Sequence, residues 1–413
     1  MEIVAAIVFA LALLHTFTAK SFEILANRHP NHSGLFHLLG EVEVVFGFWA
    51  FILIVLLALF AGSADAISYV ESRHYTEPMF VFVVMVVAAS QPVLSMVRGL
   101  IQALAKIMPF NNVLAEVWLS LATVPLLGSF ITEPAAMTLA ALILAPLVFK
   151  QGMPEWLKYA ALGVLFVNIS IGGTLTSYAA PPVLMVAAAW QWDSVFMLNT
   201  FGWKAAVAVL INATVVSYML RKHIADGQNA AKMLKNAKIP LMISLIHIIF
   251  LIGVIVFAHH PVLFFGLFLL FLGFTQAYER YQSPLIIKEG LLVGFFLAGL
   301  VVLGGMQQWW LQPIVSSLAP LQLFFGAIAL TAITDNAALT YLGSQITGLS
   351  DAAKYMLMAG AVTGGGLTII ANAPNPAGAT LLKQGFDDGS ISAVQLLLAA
   401  LPPTIVAAAA FLI

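Results

Sequence analysis

The chain has 413 residues, 62% of them hydrophobic and 8% charged, with a formal net charge of −1 and no cysteine. Soluble domains carry roughly a quarter charged residues, so this composition points to an integral membrane protein, and its continuously apolar runs point to helices and not a barrel. The lack of cysteine excludes disulfides, thiolate metal ligands and cysteine nucleophiles, and no basic stripe of the kind that binds nucleic acid is present.

The first apolar run, Ile3 to Ala19, follows Glu2 instead of a basic stretch and lacks a small-residue cleavage site, so it reads as a retained span and not a signal peptide. Spans are predicted at 2–19, 36–61, 77–99, 158–190, 198–220, 239–258, 261–278, 285–306, 352–382 and 391–413. Two further segments, 112–148 and 312–349, are long enough for two helices each and are interrupted near the middle. They read as re-entrant hairpins that dip into the membrane and return to the side they left. The spans at 158–190 and 352–382 carry helix-breaking glycines and prolines and read as interrupted helices.

Basic residues test this layout, because cytoplasmic loops collect them. With both hairpins returning to their own side, fourteen lysines and arginines share one face and only Arg73, Lys204 and Lys354 fall on the other. The basic face is then cytoplasmic and both termini lie outside. Each half holds five spans and one hairpin, and an odd number of spans inverts the second half relative to the first. The expected organisation is a first membrane repeat at 1–220, a cytoplasmic linker at 221–238 and a second, inverted repeat at 239–413. The fold class is all-α and polytopic.

Two short segments stand out inside the hairpins: Thr132-Glu133-Pro134-Ala135-Ala136 and Thr334-Asp335-Asn336-Ala337-Ala338. An ionised carboxylate at the centre of a lone membrane helix costs roughly 2.5 to 3.5 kcal/mol, so one that is retained faces a cavity or a counter-ion. The nearest basic residues, Lys150 and Lys354, belong to helix ends and reach the surface, which leaves a mobile cation or a proton as partner. Hard cations want hydroxyl, amide and carbonyl oxygens. The first half offers Thr132, Thr174, Thr176 and Ser177; the second offers Thr334, Asn336, Thr368, Asn372 and Asn375. The alternative is that each acid is neutral and caps a hairpin helix. Glu41 and Glu43 cannot share a helical face. Glu43 is read either as a headgroup-level residue or as a proton relay. His29, His32 and His37 straddle a polar loop and read as loop residues, so no transition-metal site and no cofactor are expected.

The paired tips, Thr-Glu-Pro-Ala-Ala and Thr-Asp-Asn-Ala-Ala, followed by Gly172-Gly173-Thr174-Leu175-Thr176 and Gly364-Gly365-Gly366-Leu367-Thr368, resemble the ion transporter superfamily, nearest its sodium/proton antiporter branch (NhaD-like). The resemblance implies two inverted repeats, each with a re-entrant hairpin and a broken helix, usually assembled as a homodimer. The dicarboxylate carriers of that superfamily place Ser-Asn-Thr at their hairpin tips, and this chain has acids nearby instead.

The expected activity is secondary-active exchange of a monovalent cation, Na⁺ before Li⁺ or K⁺, for protons by alternating access. A buried carboxyl group holds its proton more firmly than a solvated one, so H⁺ and Na⁺ compete for the same oxygens. The rival reading is a cation-coupled carrier of a small carboxylate or oxyanion, held by backbone N–H groups at helix N-termini. A passive channel is a second rival. No His-Glu-x-x-His or Gly-x-Ser-x-Gly motif suggests an enzyme. The expected location is the bacterial inner (plasma) membrane.

Overall fold

The computed structural model describes residues 1–224 and 239–413; most of the expected linker, 225–238, lies outside the described residues. Every regular element among the described residues is helical. Five helices are long and apolar enough to cross a membrane: Glu43–Phe60, Glu155–Leu175, Ser194–Leu220, Ile287–Gly304 and Ala393–Leu412. Up to seven qualify if each of two bent pairs counts as one span. Leu241–Val256 and Pro261–Ala277 are shorter apolar helices at the expected places.

Several boundaries differ from the sequence reading. The first helix runs from Glu2 to Arg28, past the expected end at residue 19. The expected span 36–61 is two helices, Ser33–Gly40 and Val42–Phe60, parted by the extended backbone of Glu41. The expected span 77–99 breaks at Ser90 into Thr76–Ala88 and Gln91–Ile107, bent by 63°. Pro92 explains the break, since it has no N–H for the Ala88 carbonyl and its ring crowds that carbonyl.

The first arm of segment 112–148 also bends, by 45° between Asn112–Leu121 and Thr123–Ile131. Here Pro125 withdraws the N–H that would have bonded the Leu121 carbonyl. Asn168 Nδ2 donates to that carbonyl at 2.8 Å in its place. Pro403 likewise frees the Ala399 carbonyl in the last helix, and this carbonyl packs against Gly163, where a Cβ would sit only 2.8 Å from it.

Both interrupted helices are broken where the glycines predict. Glu155–Gly172 gives way to a tight turn at Gly173–Leu175 and resumes as Pro181–Trp190. Asp351–Gly364 stops and resumes as Asn375–Leu382. The two breaks meet at the centre of the molecule. The Gly366 backbone lies so close to the Val167 backbone that any side chain would collide, and Gly365 lies against Ser170. Close backbone approach, rather than left-handed φ, is what requires glycine there.

Packing around this crossing is reciprocal. Glu155–Gly172 lies on Thr123–Ile131, as Asp351–Gly364 lies on Pro320–Ile333. Past the breaks the partners exchange halves: Pro181–Trp190 packs on Asn336–Ser344, and Asn375–Leu382 packs on Glu133–Leu144.

Candidate ion-binding site

Each hairpin is interrupted by a short non-helical turn. Thr132 holds φ 73° and ψ 149°. A β-branched residue in that left-handed region costs on the order of 1–3 kcal/mol, a strain that surrounding structure must hold in place. The turn starts the helix Glu133–Leu144 and sends the Glu133 side chain fully inside, at 0% exposure. In the other hairpin Asp335 is extended and caps the helix Asn336–Ser344, its Oδ1 accepting from the N–H groups of Ala337 (2.8 Å) and Ala338 (3.0 Å). The two acids therefore occupy different helical positions. Glu133 is the first helical residue, as Asn336 is, while Asp335 is a cap, as Thr132 is.

Asn372, in the second break, donates its Nδ2 to Glu133 Oε2 at 2.9 Å across the two halves. Glu133 Oε1 lies over the backbone of Gly173, in space that any side chain at that position would take. Asn336 reaches the other way, Nδ2 to Ser170 Oγ at 3.4 Å, and its backbone N–H bonds Ala371 O at 3.1 Å. Asn375 donates Nδ2 to the carbonyls of Gly365 (2.8 Å) and Thr368 (2.9 Å), which the helix break leaves without intrahelical partners.

In all three asparagines the nitrogen is engaged and the oxygen is left over. Asn336 Oδ1, Asn372 Oδ1, Asn375 Oδ1, Glu133 Oε1 and Thr132 Oγ1 are buried without a hydrogen-bond donor. A buried acceptor lacking a donor costs about 1–3 kcal/mol, more when charged. These five oxygens flank the hairpin turn and the second break and are of the kind a hard cation takes as ligands, and Glu133 can also take a proton. Among the described residues, no ion pair involves Glu133 or Asp335. Lys354 is held at a helix end by Asp351, at 3.3 Å.

The threonines serve the backbone of the breaks. Thr174 Oγ1 donates to Ile171 O, Thr176 Oγ1 to Ser129 O and Thr368 Oγ1 to Ala332 O. Thr334 Oγ1 donates to Leu330 O, and the residue lines an apolar groove with Phe9, Leu13 and Trp310 instead of the space beside Asp335. Sequence reasoning missed two organisers of the site. Ser129 Oγ donates to Gly172 O (2.7 Å) and accepts from Leu175 N–H (2.9 Å), bracing the first break. Ser170 Oγ donates to Val362 O (2.7 Å) and ties the two interrupted helices together. A serine in an apolar helix carries no spacing signal that would have flagged either.

Glu43 turns inward while Glu41, two residues earlier, pairs with Lys288 at 3.3 Å near the surface. Glu43, Asp335 and Asn372 line one small cavity of about 30 Å³ with Val293, Phe296 and Ile370. Asn372, on the wall of this cavity, also bonds Glu133, so Glu43 and Asp335 are joined to Glu133 through that asparagine.

The whole chain, residues 1–413, matches the sequence family described as "Putative Na+/H+ antiporter". Comparison with curated proteins gives no match. Among solved structures the chain is similar to the YdaH transporter of Alcanivorax borkumensis, with 13% identity and a TM-score of 0.46 over 90% of this chain and 96% of that one.

Proposed function

The chain belongs to this antiporter family and is an integral membrane transport protein rather than an enzyme, and from that premise we propose that it exchanges Na⁺ for protons by alternating access. The observation that carries the reading is the fully buried Glu133 with one unpartnered carboxylate oxygen, joined through Asn372 to the cavity that Asp335 lines, with three free amide oxygens at the two breaks and, among the described residues, no basic residue paired to either acid. Such a site is stable only when something positive and mobile sits in it. In the Na⁺-bound form Glu133, Asp335, Thr132, Asn336, Asn372 and Asn375 supply oxygen. In the other form protons neutralise the carboxylates. Competition for the same oxygens is sufficient for exchange.

Glu43 serves as the relay between the site and the Glu41–Lys288 end. Li⁺ and K⁺ are the alternatives to Na⁺ at these oxygens. The reciprocal packing supports two inverted repeats, 1–220 and 239–413, joined on the cytoplasmic side. The reading includes both termini outside and, on family resemblance alone, a homodimer. Since the chain has no cysteine, single cysteines at Ser72 and Gln282 test the topology directly. A membrane-impermeant thiol reagent should reach Ser72→Cys from outside and Gln282→Cys from within only, and the opposite labelling would invert the scheme.

A cation-coupled carrier of an organic anion fits less well. The helix N-terminus it would need is capped by Asp335, and a cavity of about 30 Å³ has room for one water-sized particle, not a dicarboxylate.

Proteoliposomes with an imposed pH gradient test the proposal. A Na⁺ pulse should collapse the gradient in wild type and fail to do so in folded Asp335→Asn and Glu133→Gln. Unimpaired exchange in both variants overturns it.

A further inference from the structure

Two sizeable cavities lie away from the ion site, at the end of the molecule opposite Glu41 and Lys288. One, of about 490 Å³, is lined by Arg73, Glu77, Met185, Tyr341, Ser344 and Gln345. That volume falls within the range of small-molecule sites. A second cavity of about 490 Å³ adjoins it and shares Glu77 and Ala188.

Arg73 and Glu77 face the first cavity, which His74 also lines; both are half-buried and, among the described residues, neither is ion-paired. The Arg73 guanidinium lies over the Tyr69 ring at 4.8 Å and donates through Nε and Nη2 to a single neutral acceptor, Ser72 Oγ, at 3.3 and 3.0 Å. Its Nη1 rests against Gly305, a position with no side chain to offer it an acceptor. Glu77 opens the helix Thr76–Ala88, whose N-terminus suits a carboxylate but holds it four residues from Arg73 without closing on it.

Arg73 would repel a lone cation from this space, and Glu77 would repel a lone anion. A solute bearing both groups answers both charges, its carboxylate forking onto the guanidinium and its ammonium meeting Glu77, with Gln345 and Ser344 as neutral hydrogen-bonding groups. We propose that this cavity is a binding site for a small ampholyte, an amino-acid-sized solute carrying one carboxylate and one ammonium group. It is separate from the ion site and does not depend on the antiport reading. Its walls include the far ends of Pro181–Trp190 and Asn336–Ser344, the second of which begins at Asp335.

The test is calorimetric titration of the purified full chain with γ-aminobutyrate, β-alanine, butyrate, butylamine and NaCl. One of the two ampholytes should bind at least about tenfold more tightly than butyrate or butylamine, a difference of about 1.4 kcal/mol. Arg73→Gln and Glu77→Gln should each remove that preference, while Asp335→Asn keeps it. Equal binding of the single-charge analogues, no binding of either ampholyte, or a preference that survives in folded Arg73→Gln overturns the proposal. The wild-type panel decides alone if the variants do not fold.

Discussion

Asn372→Leu separates an ion site from a merely structural polar cluster. Asn372 Nδ2 makes the one hydrogen bond that the Glu133 carboxylate receives among the described residues, at 2.9 Å, and its Oδ1 is one of the free oxygens. A hydrogen bond to an ionised acceptor is worth about 1.5–3 kcal/mol, and one to a neutral group about 0.5–1.5 kcal/mol. The difference, about 1–1.5 kcal/mol, favours the charged, cation-holding form of the site over the protonated one. Removing the donor therefore shifts the contest toward protons by about tenfold, at 1.4 kcal/mol per decade. Loss of Oδ1 as a ligand acts in the same direction. The leucine keeps the branching of the side chain but is bulkier than the amide, so the KM is compared only in protein that elutes and unfolds like wild type. The assay is Na⁺-dependent collapse of a pH gradient in proteoliposomes, with the Na⁺ concentration varied at fixed alkaline pH. The expected outcome is an apparent KM for Na⁺ raised about tenfold or more in a protein that elutes and unfolds like wild type. A KM within about twofold of wild type would mean that Glu133 does not hold the ion, and the coordination scheme would fall.

Three further outcomes follow from the same geometry. In Gly173→Ala the new methyl must displace the Glu133 carboxylate, at an overpacking cost of about 1–3 kcal/mol, so Tm should fall and Na⁺ affinity should drop about fivefold to a hundredfold in the protein that remains folded; unchanged affinity would show that Glu133 Oε1 is not a ligand. Asn168→Leu strips the Leu121 carbonyl, freed by Pro125, of its donor and also unseats Asn212 Nδ2, which bonds Asn168 Oδ1 at 3.0 Å. Denaturation midpoints should drop by the equivalent of about 1–3 kcal/mol while the KM for Na⁺ stays put, and a wild-type midpoint would refute the replacement-donor account. Because H⁺ and Na⁺ contend for one set of oxygens, the apparent KM for Na⁺ should rise as pH falls, by up to about tenfold per pH unit for a single competing proton; a KM flat in pH would exclude a shared site.

What the sequence disclosed, and what it hid, follows from how each residue acts. Glycine pairs and prolines inside apolar runs act locally, so both broken helices and both hairpin turns lie where the chain is interrupted. The bends at Ser90 and Ala122 escaped because a single proline in an apolar run is compatible with a straight span until its orphaned carbonyl is known to find another donor. Charge in an apolar setting is equally visible, and it drew attention to Glu133 and Asp335. Their apparent equivalence was misleading. The five-residue match aligns the two acids, yet the helices start one residue apart, so one acid caps its helix and keeps an oxygen toward Glu43, while the other is thrown into the crossing and keeps company with Asn372. Capping is set by one φ/ψ pair, here the left-handed Thr132 against the extended Asp335, and no residue pattern encodes it. The same reason explains Thr334, whose hydroxyl turns back to its own helix and away from the acids. Ser129 and Ser170 were invisible for a different cause: their partners are backbone carbonyls 43 and 192 residues away, contacts that exist only once the hairpin arm meets the first interrupted helix and the two interrupted helices cross. The antiport site proposed above would sense its ion through the fit between halves. The groups proposed to hold Na⁺, Glu133 with Asn372 and Asn336 beside Ser170, also bond one half to the other, so on that reading exchanging the ion for protons would change the strength of the joint that alternating access must break.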